Sequence, residues 1–485
     1  MSVSLIRPML HVIGVLIVIL GLAMLVPAVV DRIYANPDWR VFVASGAVTM
    51  FVGITLILVF RGEHTLVLTL RQTFLLTTLS WVILTAFAAL PFQFSTFDIG
   101  YVDAYFEAMS GITTTGSTVL VGLDTAPPGI LLWRAILQWL GGIGVIVMGV
   151  AILPILNVGG MQLLRTEWSD TSDKALPRTA EIAAAMFRVY VALTIACAVA
   201  LAAEGMAPFD AVTHAMTTLS TGGFSTSDAS IGHYASAAIE WTLVLFMVLG
   251  GVTFTLYIQV FHRGVGALTR SSQVRTFLLL LALASLMVTV WRWRIEDVAL
   301  AEALRSAVFG VVSIATTTGF TTTDYSAWGP FAVVIFFLLT FFGGCTGSTS
   351  GGIKVYRLQI LFQAAQQQMV RLFSPHRVAV ARYDGTPIPD AVFHSVASFF
   401  FLYIATFVIL VLGLGLIGLD LDTSLSGAAT ALANVGPGLG PVIGPAGNFA
   451  PLPDAAKMLL AAGMLLGRLE LWTVFILLLP SFWRR

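Results

Sequence analysis

The chain has 485 residues with zero formal net charge, and charged side chains make up only 10% of it against 58% apolar. A soluble domain carries about a quarter charged residues, so most of this surface must face lipid rather than water. The absence of a basic excess argues against a nucleic-acid partner. Cys197 and Cys345 lie far apart, form no metal or redox spacing, and read as small buried residues.

The apolar stretch from Met9 to Val30, behind Arg7, is long for a signal-peptide core and long enough to span a bilayer, so it predicts a retained transmembrane helix. Runs of spanning length recur at 40–60, 72–95, 131–156, 183–204, 238–261, 275–293, 328–362, 391–418 and 455–480. Backbone groups in lipid must be satisfied internally, and barrel strands would show shorter alternating segments. The predicted fold class is therefore all-α integral membrane, with about ten transmembrane helices. Arg32, Arg40, Arg134, Arg292, Arg294, Arg305 and Lys457 fall on one side of the membrane, and every other Lys and Arg except Arg468 falls on the other. The richer side, which holds both termini, is predicted to be cytoplasmic.

A repeat lies in the outer segments. After the spans ending near 95, 204, 293 and 418 comes a short semi-polar piece closing on hydroxyl or amide residues and then Gly. The four are Ile112-Thr113-Thr114-Thr115-Gly116, Leu219-Ser220-Thr221-Gly222-Gly223, Ala315-Thr316-Thr317-Thr318-Gly319 and Ala433-Asn434-Val435-Gly436-Pro437-Gly438. Two places before the first Gly stands a hydrogen-bonding side chain each time: Thr114, Ser220, Thr317 and Asn434. The predicted organisation is an N-terminal helix pair at 1–70 and pore repeats at 71–165, 180–265, 272–372 and 388–485.

Segments this brief and polar re-enter from outside rather than cross, and non-helical backbone survives at membrane depth only where protein or water surrounds it. Four on one chain can converge on one axis with pseudo-fourfold symmetry. The C-terminal ends of the short helices would favour a cation there. Asp98, Asp103, Asp210, Glu296, Asp297, Asp420 and Asp422 would complement the opposite ends or form an acidic rim. Gly reaches backbone angles that turn carbonyls inward, and a carbonyl ring can replace the hydration shell of potassium. A Thr-Thr-Gly turn is also a common helix ending; four copies, each between two spans, favour the filter.

At these residues the chain resembles the Trk/Ktr/HKT superfamily of potassium transporters, most closely its TrkH branch. The resemblance covers essentially the whole chain. It rests on the four Gly segments, above all Leu219–Thr226 and Ala315–Thr321, with the Gly-rich Phe342–Tyr356 and Gly467–Leu471. The N-terminal helix pair resembles Trk rather than the shorter Ktr form. The resemblance implies one pore per subunit, a homodimer in the bacterial inner membrane, and filter glycines at Gly116, Gly222, Gly319 and Gly436. Gly116, where the sodium-favouring branch has Ser, implies potassium, with rubidium and weaker sodium permeation. The less similar fourth loop, with Val435, implies a less symmetric filter. A separate TrkA-type cytosolic nucleotide-binding subunit is implied as regulator, with the basic connections at 159–183, 262–275 and 357–390 as its docking surface. No covalent cofactor is expected; K+ is the transported ion, held at Thr114, Thr115, Gly116, Ser220, Thr221, Gly222, Gly223, Thr317, Thr318, Gly319, Asn434, Val435 and Gly436.

The span at 328–362 is interrupted by Gly343, Gly344, Gly347, Gly351 and Gly352, each costing about 1 kcal/mol in a helix. A flexible loop here would lie below the filter and gate it, as the resemblance also implies; close helix packing would break a span in the same way. Lys354 and Arg357 follow, and would meet the cytoplasm as loop anchors, partner contacts or plain positive-inside charges. Arg468, in the last span, either raises a barrier to cations in the cavity below the filter or pairs within the bundle, and the resemblance favours the first. His214 reads as a packed side chain, and His11, His64, His233, His262, His376 and His394 form no metal set. Coupled H+ or Na+ symport remains the alternative, although midplane carboxylates are scarce apart from Glu470. No converging catalytic set argues for an enzyme.

Overall fold

The computed structural model describes residues 3–61, 69–151, 175–374, 381–384 and 386–484. Arg165, Lys174 and Arg377 of the predicted basic connections, and His64 and His376, lie outside the described residues. The described chain is helical apart from its loops and one two-residue pairing of Arg382–Tyr383 with Thr386–Pro387. The sequence is that of an integral membrane protein: seven helices among the described residues are long and apolar enough to cross a bilayer. They are Ile6–Ile33, Trp39–Val59, Leu70–Phe94, Pro128–Ile146, Glu181–Ala203, Ser272–Arg294 and Asp390–Ile417.

The other three predicted spans differ from straight rods. The run at 238–261 bends by 95° between Ala237–Gly251 and Phe254–Val260, and the run at 455–480 bends by 113° between Asp454–Arg468 and Leu471–Leu478. At the second break Glu470 takes a left-handed φ of 60°, which ends one helix and starts the next. The run at 328–362 divides into Gly329–Phe341 and the amphipathic Val355–Phe373, with the Gly-rich segment between them.

Four short helices stand between these longer ones: Tyr101–Ile112, Pro208–Leu219, Leu300–Ala315 and Leu421–Ala433. Each has an acidic residue in its first turn, at Asp103, Asp210, Glu302 and Asp422, as the dipole of the N-terminal end favours. Asp420 also caps the fourth by accepting from the Thr423 N–H at 3.0 Å. In the third, Glu302 takes the place expected of Glu296 and Asp297, and Glu296 instead pairs with Arg292 at 3.2 Å. Arg292 also donates to the Ser306 hydroxyl and lies 4.1 Å from the Trp328 ring centroid, so a charge that runs against the positive-inside trend is held by local partners.

The N-terminal pair packs on itself through small residues. Gly14 and Gly21 of the first helix meet Gly53 and Gly46 of Trp39–Val59, and a Cβ on Gly14 would stand 2.9 Å from the Gly53 carbonyl oxygen. Seven-residue spacing keeps the glycines on one face, and without side chains the backbones approach closely. The pair is fastened to the rest through buried Asp31, which accepts from the N–H of Gly129 at 2.6 Å, in the first turn of Pro128–Ala151. We predict that Gly53→Leu separates the two helices and lowers the thermal midpoint in detergent, at a cost of about 1–3 kcal/mol. An unchanged midpoint would mean that the close approach contributes nothing.

A candidate ion site built from four helix ends

The four short helices end in the same way, residue by residue. The N–H groups of Thr114, Thr221, Thr317 and Asn434 donate to the carbonyl three residues back, at 2.9, 3.0, 3.0 and 3.4 Å. Those of Thr115, Gly222, Thr318 and Val435 donate to the carbonyl five back, at 2.8, 2.9, 2.9 and 3.1 Å. This is the Schellman ending, which requires a left-handed residue where the helix stops. Thr114, Thr221, Thr317 and Asn434 supply it, with φ of 52°, 51°, 60° and 56°. Gly is the usual residue there, and a threonine in this region costs of order 1–3 kcal/mol, strain that persists where the surroundings dictate the turn. Two residues on, Gly116, Gly223, Gly319 and Gly436 again have positive φ, at 91°, 74°, 83° and 112°.

This register corrects the second loop. The spacing pairs Ser220 with Thr114 and makes Gly222 the equivalent of Gly116. The backbone instead matches Thr221 to Thr114 and Gly223 to Gly116. Ser220 is the last residue before the turn, its hydroxyl bonded back to the Thr217 carbonyl at 3.2 Å.

The four turns close into a ring. A Cβ on Gly116 would strike the carbonyl oxygen of Gly222, one on Gly223 that of Thr318, and one on Gly319 that of Val435. One on Gly436 would come within 2.9 Å of the carbonyl oxygen of Thr115. Each glycine thus faces a carbonyl of the next loop, and the fourth faces the first. Thr115, Gly222, Thr318 and Val435 supply these facing carbonyls. Such a set of oxygens, at the negative ends of four helices, suits a dehydrated monovalent cation.

Side chains brace the loops from behind. Thr113 and Thr115 hydroxyls lie 2.7 Å apart, as Thr316 and Thr318 do at 2.8 Å. The Asn434 amide donates to the Thr115 hydroxyl at 3.0 Å and to the Met464 carbonyl at 2.9 Å, so the fourth loop holds the first. Gln138 donates to the Gly222 carbonyl at 2.6 Å and accepts from the Phe224 N–H at 3.1 Å, straddling Gly223. Its amide fills the space a Gly222 side chain would need, which gives the second glycine of the pair a separate reason to be glycine. Sequence reading missed Gln138 and the ion pair of Glu107 with Arg134, 2.8 Å apart and almost fully buried. Glu107 accepts from the Thr118 hydroxyl and the Val119 N–H, and Arg134 donates to the Ser225 carbonyl at 2.6 Å. A lone charge in an apolar run was the available signal, but the partner lies 27 residues away. His214 is packed as expected, with its ring nitrogens 2.8 Å from the Asp210 carbonyl and 2.9 Å from the Ser225 hydroxyl.

The Gly-rich segment is a buried, heavily bonded loop rather than a loose one. Thr349 donates to the Leu219 carbonyl at 2.9 Å, and the Gly351 N–H donates to the Thr317 hydroxyl at 2.7 Å. The Cys345 N–H donates to the Gly251 carbonyl at 2.8 Å, and Gly347 accepts from the Phe254 N–H at 3.1 Å, where the neighbouring span bends. A Cβ on Gly343 would strike the Gly351 carbonyl, and one on Gly351 would strike that of Ala433. Gly344 approaches the Gly251 carbonyl, while Gly347 and Gly352 supply the turns, with φ of 76° and 61°. Arg468 is buried and donates to the Thr349 carbonyl at 2.9 Å, so its pairing is with the loop and not with an acid. Glu470 is taken by Arg357 at 2.6 Å, and buried Arg357 also lies 3.7 Å from the Phe399 ring centroid. Arg357 therefore does not meet solvent as a free basic side chain. Lys354 donates to the Ser350 carbonyl within the loop. A cavity of about 280 Å³ opens on the face of the ring lined by Ser117, Arg134 and Phe449, against about 60 Å³ on the face lined by the loop.

The sequence profile of the TrkH family, described as a cation transport protein, matches residues 39–484. The Trk system potassium uptake protein TrkI of Halomonas elongata is 49% identical, over 99% of this chain and 97% of its own. The Trk system potassium uptake protein TrkH of Salmonella typhimurium is 39% identical, over 99% of both chains. The crystal structure of the potassium transporter TrkH from Vibrio parahaemolyticus superposes with a TM-score of 0.90 at 37% identity, over 99% of both chains.

Removing one member of the buried Glu107–Arg134 pair strands the other. Arg134→Met should cost about 3–5 kcal/mol, and adding Glu107→Leu should recover part of that loss. Thermal unfolding of both single variants and the double variant checks this; additive losses would show that the two side chains are not coupled.

Proposed function

The chain belongs to the TrkH family of cation transport proteins, and from that premise we propose that it is a potassium uptake transporter of the Trk system, conducting K+ through the four-loop ring as a channel does. The observation that carries the reading is the ring itself, in which four equivalent Schellman turns each place a carbonyl against a glycine of the next loop. Four repeats, each a span, a short helix, a Gly turn and a span, surround the pore, with the N-terminal pair outside them. Within the filter Gly116, Gly223, Gly319 and Gly436 allow the turns, while Thr115, Gly222, Thr318 and Val435 offer carbonyls. Thr114, Thr221, Thr317 and Asn434 set the helix ends, and Ser220 lies just behind its own. Rubidium passes by the same oxygens, and sodium less readily because it is too small for them.

The buried loop with Gly343, Gly344, Gly347, Gly351 and Gly352 is the gate in this reading, closed here and held by Thr349 and Arg468. Arg468 adds a positive charge on the conduction path and limits back-flow. The ring side lies outside and both termini inside, in a bacterial inner membrane, where an inside-negative voltage of 100 mV contributes about 2.3 kcal/mol per charge. The family resemblance supports a homodimer and a cytosolic TrkA-type partner. Conduction is favoured over coupled symport because Glu470, the one carboxylate beside the loop among the described residues, is already paired with Arg357.

Uptake of 86Rb+ into liposomes holding the purified chain, with unlabelled K+ or Na+ as competitor, tests this reading. K+ should compete far better than Na+, and uptake should not need an H+ or Na+ gradient; dependence on such a gradient would establish symport instead. Gln138→Leu should narrow the difference between the two competitors by about tenfold while protein yield holds, since the Gly222 carbonyl loses a charge-neutral hydrogen bond and gains freedom worth about 1 kcal/mol or more. Thr349→Val, which removes the loop's hydroxyl bond to Leu219 without changing shape, should raise basal uptake severalfold. Unchanged selectivity in the first variant or unchanged basal flux in the second would contradict the corresponding role.

A further inference from the structure

We infer that the small cavity under the loop is a binding site for a chloride-sized anion, occupied while the loop is closed. Five side-chain atoms of residues lining it are buried without a hydrogen-bond partner: Thr346 Oγ1, Ser350 Oγ, Arg357 Nε, and Nε and Nη2 of Arg468. All five can donate a proton, and the three guanidinium nitrogens can only donate. Buried polar groups are normally satisfied, and a cluster left open with one polarity points to a missing acceptor. Arg468 is only 6% exposed and Arg357 1%, so bulk solvent does not reach them.

Charge points the same way. Among the described residues the lining includes Lys354, Arg357 and Arg468 against Glu470 alone, formally three positive charges and one negative, a balance of +2. Glu470 is committed to Arg357 at 2.6 and 2.7 Å, and Arg468 has only the neutral Thr349 carbonyl. An unpaired buried guanidinium is costly, and a counter-anion relieves that cost. The cation that the ring suits would be repelled. A volume of about 60 Å³ admits a monatomic anion or about two waters, and disfavours a bulky organic acid. The partners join loop residues to the helix Asp454–Arg468, through Thr346 and Ser350 on one side and Arg468 on the other. An anion bridging them would stabilise the closed arrangement and would have to leave, or move with the loop, when it opens. That consequence rests on the transport reading above; the site itself does not.

Crystals of the full chain grown with bromide in place of chloride test the site directly. Anomalous density in this cavity, in hydrogen-bond range of the Arg468 guanidinium, is the expected result. Binding of 36Cl− to the purified protein in detergent should weaken about tenfold or more in Arg468→Gln, since a charge-assisted bond is lost. Ser350→Ala, which keeps the charge and changes little else, should weaken it severalfold and guards against misfolding of the arginine variant. Waters without anomalous signal, or 36Cl− binding indifferent to both substitutions, would overturn the assignment. Rubidium uptake from chloride and gluconate media then reads the gating consequence alone: failure there with bromide bound would leave the site standing and remove its link to closure.

Discussion

Everything at the centre of this molecule depends on one backbone constraint: a helix that stops inside the protein must place its last carbonyls somewhere other than water. Each of the four short helices solves this with a left-handed residue and a Schellman pair of bonds. The turn then swings the following carbonyl toward the neighbouring loop, where only a glycine leaves room for it. Because each loop makes space for the next, the ring is cooperative. A side chain at any of the four glycines would displace a neighbour's carbonyl as well as its own turn.

The same economy of space extends outward. Gly141 lets Pro128–Ala151 pass against the Ile112 carbonyl, Gly250 lies over that of Leu219, and Gly467 packs on that of Leu432. These carbonyls occupy the same position in their helices, two residues before the left-handed turn. In the third repeat the corresponding stretch is the Gly-rich loop, which enters the ring's underside instead of passing it. The break in symmetry therefore falls at the Gly-rich loop, and Arg468 holds that loop by its Thr349 carbonyl.

Much of this was legible from sequence. Span lengths and scarce charge announced a helical membrane protein, and four polar-Gly endings between spans announced the repeat. What could not be read came from contacts distant in the chain. The Gly222-Gly223 doublet offers two candidates for one backbone position, and the choice depends on where Pro208–Leu219 ends. The role of Gly222 depends on Gln138, 84 residues away. Arg357 read as a side chain meeting the cytoplasm because its partner Glu470 lies 113 residues further on. The sharp bends after Gly251 and Arg468 likewise leave the hydropathy of the two runs unbroken, so composition alone reads each as one span.

In the proposed function the facing carbonyls of Thr115, Gly222, Thr318 and Val435 bind the transported ion. Diffraction from crystals of the full chain grown in rubidium tests it most directly, since rubidium scatters anomalously and mimics potassium. An anomalous peak is expected on the axis of the ring, roughly equidistant from those four oxygens. A peak seated instead on acidic side chains, or none within the ring at rubidium levels that support uptake, would contradict it.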